Sequence, residues 1–165
     1  MLNTKHNYTL KSEIMIIENG DEYIAEVREL IIEYTNRLNR DLSFQGLDDE
    51  LNSLEDKYFP PNGELIVALE DENVLGMVAY HRHDNNTCEM KRLYIKPEAR
   101  GKHLGDILVS EIIKRAQNNG FKEMVLDTIA PLKPAISLYK KHGFIECKPY
   151  YNNPMDDVIY MKKEL

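Results

Sequence analysis

The stretch Cys88–Leu108, CEMKRLYIKPEARGKHLGDIL, constrains the fold more than any other part of the chain. Within it, Met90–Ile95 carries Leu93, Tyr94 and Ile95 and reads as a strand. Pro97 ends that ladder, because proline has no N–H to donate. A basic glycine turn follows, Arg100-Gly101-Lys102-His103-Leu104-Gly105. Apolar residues then fall at Leu104, Ile107, Leu108, Ile112 and Ala116, the spacing of one helix face. A strand, a tight turn and a helix make an anion site. The N–H groups at the helix start have no intrahelical partner, and the helix dipole adds roughly +0.5 charge there. Gly101 and Gly105 have no Cβ, so a phosphate can approach the backbone closely. The same residues also suit a plain strand–turn–helix with no ligand.

The common nucleotide loops do not fit, since the turn has neither G-x-x-x-x-G-K-[ST] nor G-x-G-x-x-G. It resembles the R/Q-x-x-G-x-G/A turn of the GNAT superfamily, the acetyl-CoA-dependent N-acyltransferases. Arg100 and Gly105 match the ends of that pattern, and His103 replaces its middle glycine. A second block, Pro134–Phe144 (PAISLYKKHGF), resembles the family's A-[IV]-x-L-Y-x-x-x-G-F helix. The two blocks occur in the family's order, about thirty residues apart, with a strand between them. Asp41–Leu51 (DLSFQGLDDEL), Leu126–Thr128 (LDT) and Pro149–Pro154 (PYYNNP) extend the likeness over nearly the whole chain, towards a bacterial branch of the superfamily.

The remaining segments agree with that order. Ile14–Glu18 reads as a first strand ended by Asn19-Gly20. Asp21 is placed to cap a helix whose apolar face is Ile24, Val27, Leu30, Ile31, Tyr34 and Leu38. Asp41–Gly46 reads as a loop, and Asp48 as the cap of a second helix reaching about Tyr58. Strands are expected at Glu64–Leu69, Val74–His81, Thr87–Ile95, Lys122–Asp127, Phe144–Lys148 and Val158–Lys163. Helices are expected at Leu104–Asn119 and Ala135–Lys141. The fold class implied is α/β: a single GNAT domain over residues 14–165, with a mixed sheet of six to seven strands flanked by about four helices. Met1–Glu13 is polar and is expected to be a mobile tail.

Composition narrows the partners. A net charge of −7 argues against a sequence-independent nucleic-acid binder, which needs clustered Lys and Arg. There is no run of about 18 apolar residues for a membrane span and no apolar core for a secretory signal. A cytoplasmic protein with reduced thiols is expected, because Cys88 and Cys147 make no disulfide framework. The chain is compatible with a homodimer.

Acetyl transfer to an amine requires a neutral amine, a polarised thioester carbonyl and a proton for the leaving thiolate. The resembled family uses acetyl-CoA as co-substrate and attacks it directly in a ternary complex. That suits a chain with no evident Ser–His or Cys–His relay. Two carboxylates compete for the role of base. Glu89 opens the central strand eleven positions before Arg100, an offset at which some family members carry their catalytic glutamate. Asp127 ends the next strand, where other members carry one. Glu89 is preferred; it could instead pair with Lys91 or Arg92, and Asp127 could instead cap a turn. The resemblance makes Tyr139 the general acid, although it would also serve as a core tyrosine. It further implies that Leu93, Tyr94 and Ile95 offer backbone groups to the pantetheine arm. Arg100, Gly101, Lys102, His103, Leu104, Gly105 and Asp106 would then hold the pyrophosphate. Tyr34 and Phe44 would line the acceptor opening, and Leu132 stands where an asparagine contact is common.

Cys88 reads as a small strand residue. His81 and His83 share one strand face, but no further ligand falls at metal spacing, so no metal is expected and a solvated strand end is the reading. The activity expected is transfer of an acetyl group from acetyl-CoA to a primary amine on a small molecule, a protein N-terminus or a lysine. The alternative is an idle acyl-CoA-binding or sensor module on the same fold.

Overall fold

Short turns set the first half of the sheet. Asp71 and Glu72 both adopt left-handed backbone, φ 49° and 66°, the pairing that a type I′ hairpin requires. They join β2 (Gly63–Glu70) to β3 (Asn73–Arg82) in antiparallel register. Asp84 builds the next turn, accepting from the backbone N–H groups of Asn86 and Thr87 at 2.8 Å each, and leads into β4 (Thr87–Ile95). The computed structural model describes residues 14–18 and 21–165. The tail expected at Met1–Glu13 lies outside them.

β1 (Ile14–Glu18) pairs with β2. After β4 come helix α4 (Leu104–Asn118), β5 (Glu123–Ile129), α5 (Lys133–Lys141), β6 (Ile145–Cys147) and β7 (Val158–Glu164). The seven strands form one sheet in the order β1-β2-β3-β4-β5-β7-β6, with β7 inserted between β5 and β6. Among the described residues, only the β4–β5 pair is parallel.

Helices cover both faces, which is why β2 and β3 are buried along most of their length. On one face α4 lays Leu104, Leu108, Val109, Ile112 and Ala116 against Ile66, Val78, Met90 and Met124. On the other, Val27, Leu30 and Ile31 of α1 (Ile24–Leu38) pack on Val67, Met77 and Tyr94. The expected apolar face of α1 is therefore correct at its centre.

Several boundaries differ from expectation. α1 begins at Ile24 after a short 3-10 turn, with Tyr23 rather than Asp21 in the cap position. The second helix is broken at Ser53 into α2 (Leu47–Asn52) and α3 (Leu54–Tyr58), and Gly46 rather than Asp48 occupies its start. Ser53 sits at φ −150°, outside helical space. β5 runs two residues past Asp127, so Asp127 lies inside the strand, opposite Tyr160 of β7. Its alternative as a turn cap is thereby excluded. Among the described residues, no helix is long and apolar enough to cross a membrane.

Candidate active site

β4 and β5 pair only over Thr87–Glu89 and Glu123–Val125, although the strands continue to Ile95 and Ile129. A bulge separates them. The β3–β4 register shifts between Met77 and Ala79, and Arg92 opposite it adopts left-handed backbone at φ 62°. The extra residue bends β4 away from its neighbour. Beyond Glu89 the β5-facing edge of β4 has no ladder partner, and a wedge-shaped cavity opens there. Its walls include Leu93, Asp127, Tyr139 and Tyr34.

Left-handed backbone at a non-glycine residue costs about 1–2 kcal/mol, and buried charge holds Arg92 in place. Its Nε donates to Glu50 Oε2 at 2.8 Å and its Nη2 to Oε1 at 3.2 Å, while Lys57 Nζ reaches Oε1 at 2.7 Å. The Arg92 and Glu50 side chains are 4% and 2% exposed. Burial raises the Glu50 carboxyl, but Arg92 and Lys57 outweigh it and pull the pKa down to about 2. Glu50, given no role by the sequence, thus fixes the bulge from beneath.

The two candidate carboxylates sit in different surroundings. Glu89 is 4% exposed. Its Oε1 accepts from His81 Nε2 at 2.7 Å and His83 Nε2 at 3.3 Å, with Lys91 Nζ 3.7 Å away. Its Oε2 accepts from the Tyr150 hydroxyl. Burial would raise its carboxyl, but these donors together with Lys91 hold it well below the usual carboxylate range. Such a group is a weak proton acceptor. Asp127 is half-buried on the wedge wall and accepts at Oδ2 from the Tyr151 hydroxyl. The expected pairing of Glu89 with Lys91 is present at ion-pair distance, whereas Arg92 belongs to Glu50.

Tyr150 and Tyr151 were legible only as part of the PYYNNP segment, with no role attached. With Tyr160 they form a cluster of tilted and edge-to-face rings at centroid distances of 5.4, 5.3 and 5.5 Å. Arg40 ties the same loop to the end of α1 through Asp157, at 2.5 and 2.8 Å. Phe44 is 39% exposed at an adjoining cavity shared with Glu89, Lys91 and Tyr150. Lys91 lines both cavities. Tyr34 faces the wedge and tilts against Tyr94 at 5.5 Å. Tyr139 is 8% exposed, and burial pushes its hydroxyl pKa up, making it a weaker acid than a free tyrosine. Cys88 is fully buried with its thiol pushed up to about 12 by burial, which removes it as a nucleophile.

The basic turn has the expected shape with two corrections. His103 takes φ 59°, the left-handed conformation that glycine would supply, and histidine is among the side chains enriched there. Gly101 takes φ 86° with open space where a Cβ would be. Gly105 does not face open space: a Cβ there would meet Leu138 of α5 at 3.0 Å. Its smallness lets the two helices approach. Asp106 is also committed within the fold, bridging to Lys141 at 2.8 Å and His142 at 2.9 Å. The Leu104 side chain is in the core, 2% exposed. Lys102 pairs with Glu70 at 3.1 Å on the surface, and Arg100 is exposed.

The solvated strand end holds for His83, which is exposed, but His81 is half-buried. Glu89 is the direct cross-strand partner of His81, and it supplies the third ligand-type group that sequence spacing did not reveal.

A profile of the Acetyltransferase (GNAT) family matches residues 25–144. The chain belongs to the GNAT acetyltransferase family. It is 45% identical over 144 residues to an uncharacterised N-acetyltransferase of Schizosaccharomyces pombe, covering 86% of this chain and 88% of that protein. The likeness therefore reaches beyond bacteria. The crystal structure of an acetyltransferase from Streptococcus agalactiae superposes with a TM-score of 0.75 at 28% identity, covering 93% of this chain and 98% of that one. A PaiA N-acetyltransferase from Thermoplasma acidophilum, solved in complex with coenzyme A, shares the fold at TM-score 0.72 and 20% identity, over 93% and 99% of the two chains. The activity class of this GNAT chain is N-acetyl transfer.

Proposed function

We propose that the wedge between β4 and β5 takes the pantetheine arm of acetyl-CoA, and that the adjoining cavity at Phe44, Lys91 and Tyr150 admits a primary amine. The observation that carries this reading is the splay of β4 from β5 with Tyr139 and Asp127 on its walls. The residues present fit the coenzyme. Leu93, Tyr94 and Ile95 have no ladder partner on the β5 side, so their backbone groups can pair with an amide-bearing arm as an added strand would. Gly101 and His103 turn the chain into α4, whose start offers N–H groups and its positive dipole end to the pyrophosphate. Arg100 adds charge for the pyrophosphate.

Bound acetyl-CoA supplies a reactive thioester carbonyl and a thiolate leaving group. A β4 backbone N–H beside the bulge polarises the carbonyl oxygen. Asp127 takes the proton from the incoming ammonium through a water, because an aspartate inside β5 is short. Glu89, saturated by its donors, positions the floor of the acceptor cavity. Tyr139 donates to the thiolate. Its raised pKa suits that role because a thiolate in the same dry wedge is also made more basic, as Cys88 illustrates elsewhere in the core.

Thermal unfolding with and without acetyl-CoA tests the coenzyme site, since a ligand stabilises only the state that binds it. Wild-type protein should be stabilised, and Arg100→Glu, an exposed change, should lose most of that shift. Equal stabilisation of both would place the pyrophosphate elsewhere.

A further inference from the structure

His81 lies in β3, His83 just beyond its end, and Glu89 on β4 opposite His81. Nε2 of both imidazoles lies against the same carboxylate oxygen, at 2.7 and 3.3 Å. The three ligand atoms all lie within 4.8 Å of one another. We propose that His81, His83 and Glu89 bind a divalent transition-metal ion of the Zn2+ class on the floor of the acceptor cavity.

The donor set selects the class. Two imidazole nitrogens and one carboxylate suit Zn2+ and its first-row neighbours, whereas Mg2+ and Ca2+ take oxygen ligands. The two edges to Glu89 suit such an ion, and the His81–His83 edge lies within 4.8 Å. Bonds of about 2.0–2.1 Å in a tetrahedron set ligand atoms about 3.3–3.4 Å apart. The His83–Glu89 edge is already 3.3 Å. The His81–Glu89 edge, at 2.7 Å, opens by a few tenths of an ångström when the carboxylate rotates.

The frame is rigid and has outer support. Two ligands stand on paired strands, and the other Glu89 oxygen accepts from Tyr150, which would orient the carboxylate as outer partners do in metal sites. Three protein ligands leave a coordination position open, and the cavity side faces it, beside Tyr150 and Phe44. Closed structural zinc sites have four protein ligands; three with an open position is the pattern of sites where the ion meets a small molecule.

One feature opposes a cation. Lys91 Nζ lies 3.7 Å from Glu89 Oε1. In the metal-free protein this ammonium supplies the positive charge that an ion would bring. Its flexible stem lets it swing into the cavity when the ion enters. Lys57 is already drawn off by Glu50 at 2.7 Å.

The test uses untagged full-length protein, stripped with a chelator and titrated with Co2+ in the absence of acetyl-CoA. It reads metal alone, so its outcome does not depend on the acetyl-transfer reading. Wild-type protein should develop the visible absorption of low-coordinate Co2+, saturating with a dissociation constant on the order of micromolar, and Zn2+ should displace it. Tyr150→Phe, which removes an outer partner, should weaken binding roughly 10–100-fold, and His83→Gln or Glu89→Gln by more. His142→Gln, bonded to Asp106 elsewhere, should bind as wild type does. The His83 side chain is 31% exposed, so that variant should stay folded if Glu89→Gln does not. No saturable Co2+ signal in wild type, or unchanged affinity in His83→Gln, would overturn the proposal and leave a hydrogen-bonded cluster only.

Discussion

Tyr150 donates its hydroxyl to Glu89 from 61 positions further along the chain. Its neighbour Tyr151 donates to Asp127. Adjacent residues of one loop therefore each hold one of the two carboxylates that could serve the chemistry. Replacing each tyrosine by phenylalanine keeps the ring contact with Tyr160 and removes one donor. Tyr151→Phe should lower turnover about 10–100-fold, the worth of a hydrogen bond to a charged group, and more than Tyr150→Phe does. A larger loss in Tyr150→Phe, read at saturating substrates, would shift the chemistry to Glu89.

The pH–rate profile separates the carboxylates directly. Asp127→Asn should cost about 10²–10⁴-fold at neutral pH, as loss of a general base does. Activity should recover as pH rises towards the amine's own pKa near 10, where the acceptor arrives neutral. Glu89→Gln should leave the shape of the profile unchanged, because its carboxyl is already ionised far below the working range. An altered limb in Glu89→Gln with none in Asp127→Asn would reverse the assignment.

Tyr139→Phe retains the buried ring and removes the proton. Turnover should fall about 10²–10⁴-fold while acetyl-CoA affinity, read by calorimetry, stays nearly unchanged. A parallel loss of affinity would mean that Tyr139 packs the wedge and donates nothing.

Much of the fold was legible because its signals are local. The strand before Pro97, the turn at Gly101 and the face of α4 each follow from spacing within a few residues. The break at Ser53 was not, since tertiary packing of Leu54 and Tyr58 overrides a continuous helical pattern there. The site was half legible. His103 and Tyr139 were singled out by the motifs, and the structure adds the left-handed backbone of the first and the burial of the second. The Glu89–His81–His83 cluster depends on cross-strand register, which no spacing within one strand reveals. Gly105 is small for Leu138 of another helix, and local reasoning assigned that space to a phosphate.

Glu50 and Arg92 make a stability prediction. Glu50→Gln leaves Arg92 buried without its charge partner, so urea unfolding should show a loss of about 3–5 kcal/mol. The folded pKa lies below its ordinary value of 4.5, at about 2. The stabilisation is therefore fully present above about pH 4.5 and lost as pH falls through about 2. Wild type should lose stability across that window more steeply than Glu50→Gln. Parallel pH dependences would remove Glu50 as the anchor of the bulge.

Thiol release from acetyl-CoA across a panel of primary amines, with product masses recorded, tests acetyl transfer most directly. At least one amine should accelerate thiol release by the wild-type protein, with an acetamide formed in equal amount and both lost together in Tyr139→Phe. Tight acetyl-CoA binding with no amine-dependent release on any member of a broad panel would contradict it, and would leave the wedge as a coenzyme-binding module without turnover.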